Sequence, residues 1–585
     1  MEENYPQMNT DKRGFMKEEL TGMKRIKGIK QMEDVKKIEA MRNEKEIKDL
    51  KEKKKSFLTF PKSLLILFIP VNLSASICVN LWIIFFALTA SAQTYTNPVI
   101  AGDFPDPSVI RVGADDYYAT ATSGGWTPVF SILHSKDLVN WKAVGSVFST
   151  KPTWAKGDFW APEIAVDKGK FYIFYTARRE EGKGKKGTLC VAVAVSDKPD
   201  KNYVDKGALV CQEMGSLDGF FIRDENDKPY LVWKEDGNDR QQPTWLYAQA
   251  LDESLTKLVG KPKKLFRNEG SGWENHVIEG ADIVRKNGWF YMFYSGNACC
   301  GRSCNYALGV ARSKTLLGKW EKNPANPILA ANETWQCPGH GTIVKTPDGS
   351  DFLLYHAYRK RADAFNVGRE ALLDKVDWTK DGWATINGGR GASSTANVPF
   401  TWAKQEKKLV FIDEFDTSIL SPNYQLPTSP SETVDLKAGT LAFTASDASE
   451  AVIATRTVSG NYTATTLIKT GNMAADEIVG LAGYSWRGNA VGIGFGAGKI
   501  SVFRRENNKQ EIAASADVSQ TQNIYLRMTA KDGEFYQFAY SSDGEKWTDL
   551  GKAVAGAHVE GARVALTHVG KAQTARFDWL KIVQN

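Results

Sequence analysis

The sequence offers little net charge for binding a polyanion. Its formal charge at pH 7 is +7, but residues 1–62 hold 17 Lys or Arg against 12 Asp or Glu, a surplus of 5 that leaves +2 for the rest of the chain. Proteins that bind nucleic acid ordinarily present a strongly basic surface. The composition therefore gives no reason to expect a nucleic acid as partner.

Cysteine and histidine are also scarce, with seven and six residues among 585. The densest run, ACCGRSC at 298–304, has neither a second C-x-x-C nor a pair of His at ligand spacing, so a zinc site is not predicted. Six cysteines lie beyond residue 92, and an even number in an exported chain permits disulfides. They are Cys190, Cys211, Cys299, Cys300, Cys304 and Cys337.

Charge is absent from residues 63–92, an apolar stretch that follows Lys62 and ends in Ala90-Ser91-Ala92. A basic flank, an apolar run and a small-x-small end are typical of an export signal. We therefore expect a secreted or periplasmic protein in which 1–92 is a charged leader plus signal peptide or anchor. Because the run is longer than an ordinary signal region, an uncleaved anchor in a membrane is the alternative. Residues 1–50 are either a native tail or an upstream misassigned start.

One pattern, by contrast, occurs five times in the middle of the chain. Each copy has a polar residue, a short apolar strand, a turn with Gly, Asp or Asn, and an aromatic-rich second strand. The copies read DPSVIRVGADDYYATATS, PEIAVDKGKFYIFYTAR, DGFFIRDENDKPYLVWK, EGADIVRKNGWFYMFYSG and GHGTIVKTPDGSDFLLYHAYR.

The polar residues of the five copies are 57, 55, 61 and 61 positions apart. Such a period suits a propeller blade of four short strands with longer loops. The sequence therefore predicts an all-β fold with a five-bladed β-propeller over residues 93–405. Because the first strand of each blade lines the central channel, the five polar residues should meet in one pocket. They are Asp106, Glu163, Asp218, Glu279 and His340.

Seven segments follow one another in this region: NPVIAGDFPDPSVIRVGADDYY, SKDLVNWKAVG, FWAPEIAVDKGKFYIFYTA, LDGFFIRDENDKPYLVW, IEGADIVRKNGWFYMFYS, PGHGTIV and VGREALLDKVDW. Together they resemble glycoside hydrolase family 43. The resemblance implies a five-bladed propeller that hydrolyses arabinosyl, xylosyl or some galactosyl linkages with inversion at the anomeric carbon.

The same resemblance implies that three carboxyl groups carry the reaction. Asp106 in PDPS corresponds to the general base, Glu279 in IEGAD to the general acid, and Asp218 in LDGFF to the residue that orients the acid and modulates its pKa. Inversion needs an ionised carboxylate on one face of the sugar and a protonated carboxyl on the other. We therefore expect Glu279 to hold its proton near neutral pH, favoured by the negative charge of Asp218. Asp103 is the alternative base.

Two further residues carry a role only through the resemblance. Arg369 in GRE corresponds to an arginine that contacts the sugar. His340 in PGHGT corresponds to a histidine near the channel centre, where several family members hold a calcium ion or a water cluster. We expect no required cofactor, with a structural calcium beside His340 as the alternative to an ordinary hydrogen-bonding role.

Several other side chains are candidates for the pocket wall. Glu163 either touches the sugar or only lines the pocket. Trp160, Phe104 and Trp273 either stack on the sugar or pack within the blades. His356, within the strand LLYH, is expected to be structural.

The cysteines of ACCGRSC follow the Glu279 strand, and Cys337 comes just before His340. Both places should lie near the mouth of the channel. We therefore predict that a disulfide from this group braces the rim of the pocket.

Short alternating segments with Gly, Asn and Asp turns fill residues 406–585, for example KISVFRRE and FYQFAYSSDGEKWTDLG. They predict a β-sandwich. Its start and its FDW close resemble the concanavalin A-like module that follows the propeller in some family 43 proteins. The module is either a lid on the pocket or a carbohydrate-binding domain, for which Trp486, Trp547 and Trp579 are candidates.

We expect an inverting glycoside hydrolase that cleaves α-L-arabinofuranosyl or β-D-xylosyl linkages of plant hemicellulose or pectin oligosaccharides. The partner is then a plant cell-wall oligosaccharide or polysaccharide. One alternative is a carbohydrate-binding propeller without catalysis, although all three carboxyl groups are present. The others are a galactosyl-specific enzyme or an endo-acting arabinanase of the same family.

Overall fold

The structure, a computed structural model, describes residues 93–585 except 182–186, 361–366, 407–409, 428–431, 438, 446–449, 458, 486, 520 and 557–560. The predicted leader and Trp486 lie outside the described residues. The described part consists of strands and loops with 3-10 turns at Gly237–Arg240 and Asn387–Gly389. It contains no helix with the length and apolar character needed to cross a membrane. The predicted all-β fold is confirmed.

The strands of the first domain alternate apolar residues with short turns. In chain order they are β1 (Thr94–Thr96), β2 (Ser108–Val112), β3 (Asp116–Thr120), β4 (Trp126–Thr127), β5 (Val129–Ser135), β6 (Lys142–Phe148), β7 (Ala155–Asp167), β8 (Lys170–Arg179), β9 (Leu189–Ser196), β10 (Val204–Val210), β11 (Ser216–Arg223), β12 (Pro229–Glu235), β13 (Trp245–Leu251), β14 (Leu258–Arg267), β15 (Ile278–Lys286), β16 (Trp289–Gly296), β17 (Ala307–Ser313), β18 (Glu321–Lys322), β19 (Trp335–Lys345), β20 (Asp351–Arg359), β21 (Glu370–Trp378), β22 (Ala384–Ile386) and β23 (Thr395–Asn397).

Five antiparallel sheets of four strands make up the predicted propeller. Blade 1 has the order β2-β3-β5-β6, blade 2 β7-β8-β9-β10, blade 3 β11-β12-β13-β14, blade 4 β15-β16-β17-β18 and blade 5 β19-β20-β21-β22. Contacts between β2, β7, β11, β15 and β19 make these first strands the inner ring. Large apolar residues of neighbouring blades fill the space between sheets.

The inner strands are interrupted near their leading polar residues. The pairing register shifts around these positions in β7, β11, β15 and β19. Asp106, Asp218 and His340 have φ of 53°, 55° and 41°. A non-glycine residue in this region costs about 1–3 kcal/mol and is retained where the surroundings require it. The bulges turn the side chains of Asp218 and His340 out of the sheet and into the channel.

The ring is closed by the start of the domain. Strand β1 pairs with β23, and Asn97 is bonded to blade 5 in both directions. Its side-chain amide donates to the carbonyl of Leu373 at 3.0 Å, and the Leu373 N–H donates to Asn97 Oδ1 at 3.0 Å. These bonds tie the segment before blade 1 to blade 5.

The second domain is the predicted β-sandwich. Its strands are β24 (Val410–Asp413), β25 (Tyr424–Pro427), β26 (Glu432–Lys437), β27 (Thr440–Ala445), β28 (Ala451–Arg456), β29 (Tyr462–Lys469), β30 (Ile478–Tyr484), β31 (Ala490–Gly496), β32 (Lys499–Glu506), β33 (Lys509–Asp517), β34 (Asn523–Lys531), β35 (Phe535–Ser541), β36 (Thr548–Asp549), β37 (Val554–Ala555), β38 (Arg563–Val569) and β39 (Arg576–Gln584).

Two sheets enclose the core of the sandwich. One has the order β26-β27-β39-β29-β34-β35-β36, with β24 beside β39 and β37 beside β35. The other has the order β33-β32-β31-β30-β38-β28-β25-β4. The last strand of this second sheet, β4, comes from blade 1 of the propeller, so one sheet includes both domains.

Trp126 anchors this shared sheet. It is 1% exposed and packs in a cluster with sandwich residues that include Val452, Tyr484 and Phe503. The guanidinium of Arg563 lies 4.4 Å from the centre of its ring. A propeller side chain is therefore part of the apolar packing of the sandwich.

A second contact lies beside the predicted catalytic segment. Gly102 has φ of 79°, and a Cβ at this position would lie 2.2 Å from the carbonyl oxygen of Thr457. Arg456 Nε donates to the carbonyl oxygen of Asp103 at 3.1 Å. The sandwich thus packs directly against the loop that leads to Asp106.

Candidate active site

A cleft of about 960 Å³ opens at one end of the propeller channel. Its wall includes Asp106, Asp218, Glu279 and His340, which come from different blades, and also Arg369. Glu163 lies in a smaller adjoining space that is lined by Asp106, Asp218 and His340 as well. The five leading residues therefore converge around the channel, as their spacing predicts.

Asp106 is held from several sides. Its Oδ1 accepts from Arg369 Nη1 at 2.9 Å, and its Oδ2 accepts from Thr122 Oγ1 at 2.6 Å. Its backbone N–H donates to Nδ1 of the fully buried His356 at 3.1 Å. Burial alone would raise the pKa of Asp106, but Arg369, His340 and His356 hold it well below the ordinary value. The side chain is a carboxylate across the physiological range.

Asp103 has different surroundings. Its Oδ1 accepts from the Arg369 backbone N–H at 3.1 Å. Cβ atoms built on Gly368 and Gly561 would lie within 3 Å of its carboxyl group. It borders the cleft between the propeller and the sandwich but does not line the channel space that Asp106 shares with Asp218 and His340, so Asp106 is the better placed of the two to act with the other carboxyl groups.

Asp218 is turned toward Glu279 by the bulge in β11. Its Oδ2 accepts from the Gly280 N–H at 3.0 Å, and its own N–H donates to Thr176 Oγ1 at 3.1 Å. Burial raises the pKa of Asp218 to about 6; His340 opposes this shift and the negative charge of Glu279 adds to it.

Glu279 is bound at both carboxyl oxygens. Its Oε2 accepts from Lys234 Nζ at 2.7 Å, and its Oε1 accepts from Tyr306 OH at 2.9 Å. Burial favours the protonated form, but Lys234, His340 and Tyr306 outweigh it and lower the pKa of Glu279. The expectation that the pKa of Glu279 is raised is therefore wrong. The ammonium group of Lys234, in direct contact, lowers this pKa more than the negative charge of Asp218 raises it.

A second pair of carboxyl groups lies in the channel beside these three. Burial and the neighbouring Asp282 raise the pKa of Glu163 well above its ordinary value, and burial raises that of Asp282 to about 7. Thr342 Oγ1 lies 3.4 Å from Glu163 Oε2, and the Ile343 N–H donates to Asp282 at 3.0 Å. Glu163 does not line the main cleft, so it is placed as a channel residue.

The residues around His340 do not form a ready metal site. Within the described residues, no group of three or more His, Cys, Asp or Glu side chains is arranged to hold a metal ion. Calcium beside His340 therefore stays a prediction.

The aromatic candidates separate by exposure. Trp160 lines the main cleft and is available to a sugar. Phe104 is 0% exposed, so it is not available to stack on a sugar, which was one of its two predicted roles. Trp273 packs against Tyr294 with ring centres 5.4 Å apart and lies against Gly296 and Gly309, which places it within blade 4. In the sandwich, Trp547 and Trp579 do not line the cleft.

Disulfides hold the predicted rim. Cys304 is paired with Cys337, which joins the loop after β16 to blade 5, and Cys299 is paired with Cys300. Cys299, Cys300 and Arg302 border the cleft. A disulfide from the predicted group is therefore present, its bracing role stays a prediction, and a third pair, Cys190–Cys211, lies in blade 2.

Sandwich loops form the remaining wall. Arg487 and Asn489, before β31, and Asn507 and Asn508, between β32 and β33, line the same cleft as the propeller residues. Arg302 Nη2 of the propeller lies 2.9 Å from Glu534 Oε1 of the sandwich. The second domain therefore narrows the mouth of the site, which favours the lid interpretation.

The sequence did not single out Lys234, Tyr306 or Thr122, and assigned His356 only to structure. All four touch a predicted catalytic carboxyl group or its backbone. The one available signal in the sequence was Lys234 itself, a charged residue that follows the apolar residues of PYLVWK. In the fold Lys234 is 2% exposed. The other three are ordinary strand and loop residues whose partners lie far away in sequence.

Comparisons with known proteins agree with this geometry. The family described as glycosyl hydrolases family 43 matches residues 95–384, and the beta xylosidase C-terminal concanavalin A-like domain matches residues 412–583. The chain belongs to glycosyl hydrolase family 43. Enzymes of family 43 are inverting glycosidases, so the predicted enzyme class is confirmed.

Several family 43 relatives match across both domains. A beta-xylosidase of Bacillus subtilis is 27% identical over 501 residues, which is 77% of this chain and 90% of the relative. A non-reducing end alpha-L-arabinofuranosidase of Bacteroides ovatus is 26% identical over 434 residues, 69% of this chain and 76% of the relative. A GH43 protein from Bacillus licheniformis, known from its crystal structure, is 25% identical in sequence. The structural match covers 84% of this chain and 100% of the Bacillus licheniformis chain, with a TM-score of 0.71.

Proposed function

We propose that the chain is an exo-acting inverting glycosidase that releases single α-L-arabinofuranosyl or β-D-xylosyl units from plant hemicellulose or pectin oligosaccharides. The observation that carries the proposal is one cleft containing Asp106, Asp218, Glu279 and Arg369 and walled on one side by the sandwich. A narrowed cleft suits a chain end better than the middle of a polymer. The names of the relatives, which include xylosidases and arabinofuranosidases, support the two sugars.

The proposed mechanism assigns one task to each side chain. Asp106, kept ionised by Arg369, removes a proton from the water that attacks the anomeric carbon. Glu279 gives a proton to the glycosidic oxygen on the other side as the bond breaks. Asp218 orients Glu279 through the Gly280 backbone, and Arg369 binds the sugar.

The test is hydrolysis of matched oligosaccharides. Linear arabino- and xylo-oligosaccharides, each with a free and a blocked non-reducing end, are incubated with residues 93–585 and the products are separated by chromatography. We expect single pentoses from the free ends and no cleavage of the blocked ones. Cleavage of blocked chains into shorter oligosaccharides would contradict exo action.

We also propose that the protein works in an oxidising compartment outside the cytoplasm. The pairing of six cysteines as three disulfides supports this, because such bonds persist in exported proteins. Purified mature protein, denatured without reductant, should then show no free thiols. Six reactive thiols would contradict the proposal.

A further proposal is that hydrolysis needs no metal ion. The mechanism above uses only side chains of the chain itself, and the donor groups around His340 do not form a ready site. Dialysis against EDTA should leave kcat within twofold of the untreated enzyme. A loss that is restored by Ca²⁺ would contradict this.

A further inference from the structure

The proton supply of Glu279 poses a specific problem. Both of its oxygens accept hydrogen bonds, from Lys234 Nζ at 2.7 Å and from Tyr306 OH at 2.9 Å. A phenol can turn to accept a bond from a protonated carboxyl group, but an ammonium group has only donors, so Lys234 favours the ionised form of Glu279. A general acid must nevertheless carry a proton before it protonates the leaving group. Glu279 therefore takes up its proton against the positive charge of Lys234, and the ion pair between the two side chains is lost whenever Glu279 is neutral.

The surroundings of Lys234 provide a second partner. Its side chain is 3% exposed, and Nζ lies 3.2 Å from Asp236 Oδ1 as well as 2.7 Å from Glu279 Oε2. Leaving a buried charge without a partner is strongly destabilising. Because Asp236 is also in contact, Glu279 can become neutral while the ammonium group keeps a carboxylate beside it.

We propose that Lys234 is a positioning residue that controls the protonation of Glu279 by exchanging its ion pair between Glu279 and Asp236. This role rests on the proposed function, in which Glu279 is the general acid. Nothing in the reaction passes through Lys234 as a covalent partner.

The proposed exchange fits a balanced cycle. A proton from solvent binds the Glu279 carboxyl group, and the ion pair of Lys234 Nζ is then with Asp236 alone. Glu279 then gives this proton to the glycosidic oxygen, which keeps the electron pair of the broken C–O bond, while Asp106 takes a proton from the attacking water. Glu279, again an anion, regains Lys234, and Asp106 returns its proton to solvent.

The charged and titratable groups around Glu279 come from four blades. They are Lys234 and Asp236 on and after β12, Asp218 on β11, Asp239 beside Asp236, Tyr306 before β17, His340 on β19 and Asp106 before β2. Lys234 is the cation that contacts Glu279 directly. Its ammonium is also the first cause that opposes burial and lowers the pKa of Glu279.

The test measures the titration of Glu279 itself. Carbon-13 NMR of protein labelled at the Glu side-chain carboxyl gives the midpoint, with the Glu279 signal assigned by its absence in Glu279→Gln. In Lys234→Met, which keeps the length of the chain but removes the charge, we expect the midpoint to rise by about one pH unit or more. In Asp236→Asn, where the ammonium has only Glu279, we expect the midpoint to fall.

Two variants serve as controls. Lys234→Arg keeps the positive charge, and its midpoint should lie within half a pH unit of the parent. Lys322→Met removes a comparable ion pair, the 2.7 Å contact with the 2% exposed Glu274, at a distance from the cleft. It should leave the Glu279 midpoint unchanged.

Kinetics provides a second readout. The basic limb of the kcat/KM profile, where the general acid loses its proton, should move up in pH in Lys234→Met and down in Asp236→Asn. A merely structural role would lower the rate at all pH values without moving the limb. If Lys234→Met does not fold, the downward shift of the basic limb in Asp236→Asn still tests the proposed role of Lys234.

The outcomes separate this inference from the proposed function. An unchanged Glu279 midpoint in Lys234→Met, or shifts of the same sign in both variants, would overturn the role of Lys234 even if the parent enzyme turns over. Opposite shifts in a parent that cleaves no pentoside would contradict the proposed function and leave the ionisation control standing, because the titration needs no turnover.

Discussion

Asp106 and Asp218 are neighbouring carboxyl groups whose pKa values move in opposite directions. Asp106 has Arg369 at 2.9 Å, and its pKa is well below the ordinary value. Asp218 accepts a hydrogen bond from the Gly280 backbone N–H, and burial raises its pKa to about 6. The difference between a cationic and a neutral donor therefore separates a permanent carboxylate from a group that titrates near neutrality.

This difference predicts a stability effect of Asp218. Between its ordinary pKa of 3.8 and about 6, the folded chain holds a proton that the unfolded chain has released, so stability falls as pH rises through that window. Asp218→Asn removes this cost and should raise the unfolding free energy at pH 7 by about 3 kcal/mol. Thermal unfolding at pH 4 and pH 7 measures it, and an equal gain at both values would contradict the explanation. Activity should fall in the same variant.

Glu279 carries a prediction that depends on the leaving group. Glu279→Gln should lower kcat/KM about a hundredfold or more on a pentoside with a poor leaving group, because proton donation contributes about that much. On an activated nitrophenyl glycoside the loss should be much smaller, since that oxygen needs little protonation. Asp106→Asn is the matched control and should lose activity equally on both substrates. Equal losses in Glu279→Gln would argue against an acid.

At the scale of elements, the leading residues of the five inner strands could be predicted from the sequence, but the residues that contact them could not. The same phase in five inner strands was enough to bring Asp106, Glu163, Asp218 and His340 together. The role of Lys234 could not be predicted because it lies next to the end of β12, the second strand of blade 3, where a charged residue normally points to solvent. Its burial depends on blade 4, which supplies Glu279 from 45 residues away.

The disulfide at the rim and the disulfide in blade 2 should have different effects on substrate binding. Cys304–Cys337 joins positions 33 residues apart, and removing it by a double Ser substitution should cost about 3 kcal/mol. Because the loop it holds borders the cleft, KM should also rise. Removing Cys190–Cys211, with a separation of 21, should cost similar stability and leave KM within twofold. Urea unfolding and steady-state kinetics measure both, and an unchanged KM in the first variant would contradict the bracing role.

At the scale of the whole molecule, the two domains share a sheet and a cluster around Trp126. Trp126→Ala should destabilise the protein by about 3–5 kcal/mol, as expected for loss of a buried large aromatic side chain. Trp402→Ala is the control, since Trp402 is 58% exposed and its loss should cost less than about 1 kcal/mol. Denaturant unfolding tests this, and equal effects would contradict a tight domain contact.

A truncation after residue 405 extends this argument. It would remove the partners of Trp126 and β4 and expose apolar surface of blade 1. We expect an aggregation-prone propeller rather than an active one. A soluble truncated propeller that keeps activity and loses only adhesion to polysaccharide would favour a carbohydrate-binding module over a lid.

The order of the domains and the three carboxyl groups could be predicted from sequence because repeats and motifs are local. The packing of the domains could not. Strand β4 is two residues long, and its pairing with Leu426 and Pro427 crosses about 300 positions. The direction in which the pKa of Glu279 shifts was predicted wrongly for the same reason, because it depends on the contact with Lys234, which is made only in the folded chain.

The most direct test of the account follows the sugar released by residues 93–585 with proton NMR. An aryl α-L-arabinofuranoside and an aryl β-D-xyloside are mixed with the enzyme, and the first anomer is recorded before mutarotation. The account predicts that the inverted anomer appears first, the β form from arabinofuranoside and the α form from xyloside. First release of the retained anomer would contradict the assignment of Asp106 as a base that activates water.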